Sequence, residues 1–298
     1  MRHVLLHGHV FKNAGTTLDW ALQRSFGDGF VDHRRDDLMR SQGGKHIMEM
    51  LEGDENILAI SSHHMPRDVA DTDQVSFHPV YMLRHPVLRI RSVYDFERKQ
   101  EAQTPGAQAA KRMDFREYVD WRMQAKVAPT IRNFQVRYLA GRLPPRYEKM
   151  ADFDYFELAM QTLHQVHCVG IVEQYDASMV LIENTVRKRF KAIDLAHVPQ
   201  NITGQERAAL SQEERIGRIL DELGGLQAKV LEHNSYDMAL YEASKHVFAQ
   251  RLEEIPELSV RLQKFRKRCT VLERKEKKRA RERARQEKRE QAEANRGA

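Results

Sequence analysis

Four short apolar runs recur along the chain: Val4-Leu5-Leu6, Ile57-Leu58-Ala59-Ile60, Val80-Tyr81-Met82-Leu83 and Cys168-Val169-Gly170-Ile171-Val172. Continuous apolar runs of this length predict strands buried on both faces, as in parallel sheets. Between them, apolar residues recur at helical spacing. Leu18, Leu22 and Phe26 predict a helix opening at Thr16 or Thr17, with Asp19 in its first turn, where the helix dipole favours an acid. Pro86 suits the first position of a second helix, continued by Val87, Ile90, Val93 or Tyr94, and Phe96. Further helices are expected over Lys45–Leu51, Phe115–Lys126, Phe156–Leu163, Asp176 to about Phe190, Ser211–Leu231 and Tyr236–Leu252. Gly27-Asp28-Gly29 reads as a turn, and Phe30–Asp37 as a candidate short strand followed by a loop. Glu97–Arg112 reads as a polar excursion over the ligand face, and Pro144-Pro145 as the close of the segment Asn133–Gly141. Strands that alternate with helices describe an α/β fold, a parallel central sheet flanked by helices. Ligands are expected beyond the carboxyl ends of its strands.

The 298 residues carry a formal net charge of +6. From Lys264 onward fifteen basic residues face six acids, a balance of +9, which leaves 34 basic against 37 acidic residues, or −3, in the rest. The basicity therefore belongs to the tail. Two domains are expected: a folded unit over 1–262 and a charged helical or disordered tail over 263–298. After Leu272 apolar residues all but vanish, so the tail is expected to be an appendage with no face to pack. It is a candidate for polyanion contact. Two distant cysteines without zinc spacing exclude a disulfide framework and suit a reducing compartment. Only Met1, Arg2 and His3 precede the first strand, and no apolar run approaches the roughly 20 residues of a bilayer span, so a cytoplasmic location is expected.

Three strand ends carry unusual polar residues: Lys12–Thr17, His63-His64 and Arg84–Ser92. Lys12-Asn13-Ala14-Gly15-Thr16-Thr17 joins a strand to a helix N-terminus. Backbone N–H groups converge at such a turn, and Lys12 and two hydroxyls add donors, so it reads as an anion site or as a bare βα turn. It is not a Walker A loop, because the lysine precedes the last glycine. At the third strand end stand Arg84 and, two turns into the next helix, Ser92, which by themselves read as an Arg–carboxylate pair and a helix serine or as a joint anion grip.

The order Lys-x-x-Gly-Thr-Thr resembles the loop that holds the 5'-phosphosulfate in sulfotransferases, with Phe11 and Asn13 departing from its commonest form. Leu83-Arg84-His85-Pro86-Val87-Leu88-Arg89-Ile90-Arg91-Ser92-Val93-Tyr94-Asp95-Phe96 resembles the second signature of that family, with His85 in place of the usual Asp. Asn133–Gly141, Val169–Ser178 and Asn234–Tyr241 resemble further blocks of it, so the resemblance spans about residues 3–252. It is closest to the carbohydrate branch of the heparan sulfate 2-O-sulfotransferase type. The tail lies outside it.

The resemblance implies a P-loop-like sulfotransferase fold and 3'-phosphoadenosine 5'-phosphosulfate (PAPS) as sulfate donor, with a carbohydrate hydroxyl as acceptor and no metal. It implies that Lys12, Asn13, Ala14, Gly15, Thr16 and Thr17 hold the 5' end and that Arg84 and Ser92 hold the 3'-phosphate. Lys12 is also the candidate for stabilising the leaving group. Ser-His-His-Met-Pro resembles the Gly-His-x-Pro element of the family, which makes His64 the candidate base ahead of His63. Two other readings use different chemistry. His7, His9, His63 and His64 could form the metal site of a hydrolase, or the basic tail could make the protein a non-catalytic polyanion binder.

Overall fold

The structure, a computed structural model, describes residues 1–67, 69–141, 150–198 and 210–294, with backbone alone at 288, 289 and 292–294. Five strands form one parallel sheet: β1 (Arg2–Gly8), β2 (Phe30–His33), β3 (Ala59–Ser62), β4 (Val75–Leu83) and β5 (Cys168–Ile171). Their order is β2-β3-β1-β4-β5, and every pairing is parallel. The chain leaves β1 toward one edge and returns over it to build the other, so the order reverses between β1 and β4. Such a switch point opens a crevice beyond the strand ends.

The expected architecture is the observed one. Leu5, Met82 and Cys168 face α1 (Gly15–Phe26) and α9 (Tyr175–Val186). Val4, Leu6 and Ile60 meet Ile47 and Leu51 of α3 (Gly44–Gly53) on the opposite face. On that same face Tyr81, Leu83 and Val169 pack against α7 (Phe134–Ala140), α8 (Asp152–Gln165) and α12 (Ser235–Glu253). The period of two in each strand thus fills both faces with apolar side chains.

Several boundaries moved, each for a local reason. β4 begins five residues earlier than the apolar run and crosses Pro79. β5 pairs only with residues 80–83, so Pro79 has β1 alone as neighbour and can lack a donor on its open side. Between β2 and α3 the chain forms α2 (Asp36–Gln42) where a loop was expected. The predicted excursion at Glu97–Arg112 is instead the end of α4 (Pro86–Lys99) followed by α5 (Pro105–Arg112). Gly106, Ala107, Ala109 and Ala110 make α5 narrow enough to bury a face, and Thr104 caps it by accepting from the Ala107 amide at 3.2 Å. With α6 (Phe115–Arg122), α10 (Gln212–Leu223) and α4 it encloses a separate apolar cluster. Gly224 at φ +54° ends α10, so the single helix expected to Leu231 is two, the second being α11 (Gln227–Glu232). Pro144-Pro145 lie outside the described residues.

The last helix, α13 (Leu258–Ala294), passes through the expected boundary at 262/263 without a break. Its early turns do pack: Phe265 is fully buried in the core below α1 and α9, flanked by Leu258, Leu262 and Cys269. Arg268 pairs with Glu183 at 2.7 Å and with Asp194, and Arg266 reaches Asp176 at 3.1 Å. Farther on, pairs such as Lys277–Glu273 and Lys278–Glu282 lie along its exposed surface. No helix among the described residues is long and apolar enough to cross a membrane.

Candidate functional site

At the switch point a cavity of about 440 Å³ is lined by Lys12, Ala14, Gly15, Thr16, Thr17, Arg84 and Ser92, together with His9, Phe11, Arg34, His63, Phe96 and Val172. The loop after β1 and the strand end at β4, with Lys12 and Arg84 72 residues apart in sequence, therefore share one wall.

The loop is held in shape from behind. Lys12 and Ala14 adopt the left-handed conformation, at φ 66° and 59°, a strained state for residues other than glycine. Arg84 Nη1 donates to the Lys12 carbonyl and Arg89 Nε to the Phe11 carbonyl, both at 3.0 Å. Asn13 is buried, and its Nδ2 donates to the Met82 carbonyl and to Gln135 Oε1, both at 2.7 Å. Gln135 in turn accepts from the Arg84 amide at 2.9 Å and donates to the Arg84 carbonyl at 2.9 Å. With its carbonyls and Asn13 tied to β4, α4 and α7, the loop presents the first amides of α1, at Gly15 and Thr16, along the cavity; these have no intrahelical acceptor. The Asn13 side chain is thus a strut of the loop, facing away from the cavity its neighbours line.

Lys12 Nζ lies 4.4 Å from the Phe96 ring centroid. Burial, reinforced by the Arg84 guanidinium, brings its ammonium down to about 8. Arg84 is likewise lowered by burial, Glu173 opposing at 3.9 Å, and its Nε is buried without a hydrogen-bond partner. Glu173 is itself held by the Tyr241 hydroxyl at 3.0 Å. Arg89 is enclosed, stacked 4.0 Å from the Phe134 centroid and lowered by burial to about 10.

Another part of the lining is built from imidazoles. His63 lines the cavity; His64, the sequence candidate for the base, stands outside it, with its Nε2 3.5 Å from Asp36 Oδ2. His63 Nδ1 lies 3.0 Å from the His9 carbonyl oxygen, which can only accept. The proton is therefore on Nδ1, and Nε2 of the neutral ring carries the lone pair. Burial, with His9 beside it, shifts His63 below the ordinary histidine range.

Asp19 is not an N-terminal dipole partner of α1. It is buried beneath the loop, with Oδ1 2.7 Å from His7 Nδ1 and Oδ2 2.7 Å from His9 Nδ1. Burial alone would raise its carboxyl, but the charge and hydrogen bond of His7 and the hydrogen bond of His9 outweigh it and hold it well below the usual carboxylate range. These three residues bring ligand-type atoms within 4.8 Å of one another; His63 and His64 do not join that group among the described residues. The 2.7 Å spacings are those of charge-assisted hydrogen bonds. Gly15 owes its lack of a side chain to this cluster: a Cβ there would come within 2.3 Å of His9 Cδ2 and 2.4 Å of Nε2.

Asp19, Arg34, Gln135 and Glu173 are absent from the sequence candidates. Each acts through a partner at least ten residues away, and only the shared bond of Asp19 with His7-x-His9 left a trace, as an acid on the inner face of an amphipathic helix.

No family model matches the chain. A solved sulfotransferase structure from Alicyclobacillus acidocaldarius aligns with 83% of this chain and 96% of that one, at 16% identity and a TM-score of 0.39. A protein of Archaeoglobus fulgidus, described as uncharacterized, is 32% identical over 247 residues, which cover 81% of this chain and 95% of that relative. With that identity over nearly the whole of the relative, the chain belongs to the same family as the Archaeoglobus protein.

Proposed function

We propose that the protein is a sulfotransferase that moves a sulfuryl group from PAPS to a hydroxyl, with a carbohydrate as the acceptor class. The observation that carries this reading is the meeting of two signature segments, Lys12–Thr17 and Arg84–Ser92, on one cavity wall. The donor set suits a nucleotide with two anionic ends: loop amides, an ammonium and hydroxyls at one end, a guanidinium and a hydroxyl at the other. The donor would supply the sulfuryl group and a phosphate leaving group.

The residues of the chain do the rest by position and charge. Lys12, Thr16, Thr17 and the amides of Gly15 and Thr16 bind the 5' end, with Lys12 Nζ placed to offset charge there. Arg84 and Ser92 bind the 3' end. Between the sequence candidates for the base, the geometry favours His63, whose Nε2 takes the acceptor proton while Nδ1 keeps its hydrogen bond to the His9 carbonyl. Phe11 and Phe96 wall the cavity with apolar surface that excludes water beside Lys12.

A labelled-sulfate transfer screen against glycans and small alcohols, with Lys12→Ala as control, tests the assignment. Transfer to a glycan that disappears in the variant is the expected result. A stoichiometric metal with chelator-sensitive hydrolysis and no donor binding would replace this reading with the hydrolase.

A further inference from the structure

His7 and His9 project from the same side of the extended chain at the end of β1, and the two oxygens of Asp19 engage one Nδ1 each. An ionised carboxylate only accepts, so both Nδ1 atoms carry hydrogen and Nε2 is the nitrogen left to each ring. The two rings then part company. His7 is fully buried, with Nε2 enclosed and without a partner, whereas His9 lines the cavity with its Cδ2–Nε2 edge against Gly15. The His9 edge therefore lies under the first residue of α1, where an anion on the loop would sit.

We propose that His9, backed by Asp19, is a second acid–base group of this cavity: when an oxyanion occupies the loop, Nε2 takes a proton from solvent and donates it as a hydrogen bond to that anion. The proposal rests on the reading of the loop as an anion site, and it gives His7 and Asp19 a positioning role. Without the anion, burial keeps His9 neutral despite its bond to Asp19. The groups that face it come from every neighbouring element: His7 through Asp19, Lys12 on the loop, Arg34 after β2, His63 after β3, Arg84 after β4, and Tyr138 of α7, whose hydroxyl is held by the Ser62 carbonyl. Burial, His7 and Arg34 oppose the proton and Asp19 favours it, so an added anion adds to the favouring side. The sign follows: the bound form prefers the imidazolium, so the affinity supplied by His9 is full at low pH and fades as pH rises through the bound pKa.

The test is calorimetric titration of the full chain with adenosine 3',5'-bisphosphate at pH 7, in two buffers of low and high ionisation enthalpy. Imidazole ¹⁵N spectra recorded with and without sulfate, which carries no titrating proton there, complete it. At pH 7 Lys12 is already largely charged, so it contributes little. Wild type is expected to take up roughly half a proton or more on binding, and His9→Gln to lose that uptake and about tenfold in affinity at pH 6.5. Asp19→Asn should bind with diminished uptake, and sulfate should move the His9 Nε2 resonance toward the imidazolium position. Binding without uptake in wild type, uptake undiminished in His9→Gln, or uptake lost only in His63→Gln overturns the proposal. Stoichiometric zinc bound through Asp19 with release of the Nδ1 protons overturns it too. Sulfate-induced protonation of His9 with no nucleotide binding would uphold this inference and sink the donor assignment; nucleotide binding without proton uptake would do the reverse.

Discussion

The wall of Lys12, Arg84 and Ser92 and the wall of His9 and His63 face the same cavity but are assembled by different means. The cationic wall comes from two contiguous segments, each a strand end turning into a helix, and its guanidinium is also a strut: Arg84 holds a loop carbonyl as well as facing the cavity. In the imidazole wall, the protonation of each ring follows from what its Nδ1 meets, a backbone carbonyl for His63 and a buried carboxylate for His9. Charge placed by local sequence can be read from local sequence. Tautomer is set across the fold, and it decides which nitrogen does chemistry.

The sharpest way to break this comparison is to remove the cations. Lys12→Ala with Arg84→Ala should weaken adenosine 3',5'-bisphosphate by about a thousandfold or more in calorimetry, since truncating buried charged partners costs about 2–5 kcal/mol each. Undiminished binding would end the idea of one shared grip. Next in size is the split between walls. His63→Gln should lower transfer by about 100-fold to 10,000-fold and leave nucleotide affinity within about twofold, while His64→Gln changes transfer by less than about threefold; the opposite ranking would return the base to His64. Asn13→Ala leaves buried partners unsatisfied and should cost about 1–3 kcal/mol in thermal or denaturant unfolding, with affinity reduced because the loop loosens. In the pH dependence of the same affinity, the bound anion prefers the ammonium of Lys12, so the share that Lys12 supplies holds below about 8 and declines above it, by up to about tenfold per unit. Lys12→Met should flatten that slope. The smallest effect is expected from deletion of residues 273–298, which leaves Phe265, Arg268 and Cys269 in place; affinity and melting should stay within about 0.5 kcal/mol.

The parallel sheet was legible because an apolar run lies in or leads into four of its five strands, and the cationic residues because they sit close after those runs. His63 and His64 were not separable in the same way: adjacent residues beyond a strand point apart, and which one turns inward depends on the His9 carbonyl 54 positions away. Asp19 was visible as an acid near a helix start, yet its partners lie before the loop, so the dipole argument found the residue and missed its role. Phe265 was hidden by its surroundings. One aromatic among lysines and arginines carries no period, but it fills the gap between α1 and α9 and turns the first part of the charged tail into core.

Lys12 has an outcome beyond affinity. A half-buried lysine brought down to about 8 is a free amine in roughly half the molecules at mildly alkaline pH, where ordinary surface lysines with a pKa of about 10.4 are almost wholly charged. An amine-selective acylating reagent should therefore label it early, and an occupant of the cavity should shield it, so the rate of labelling doubles as an occupancy gauge that needs no acceptor sugar.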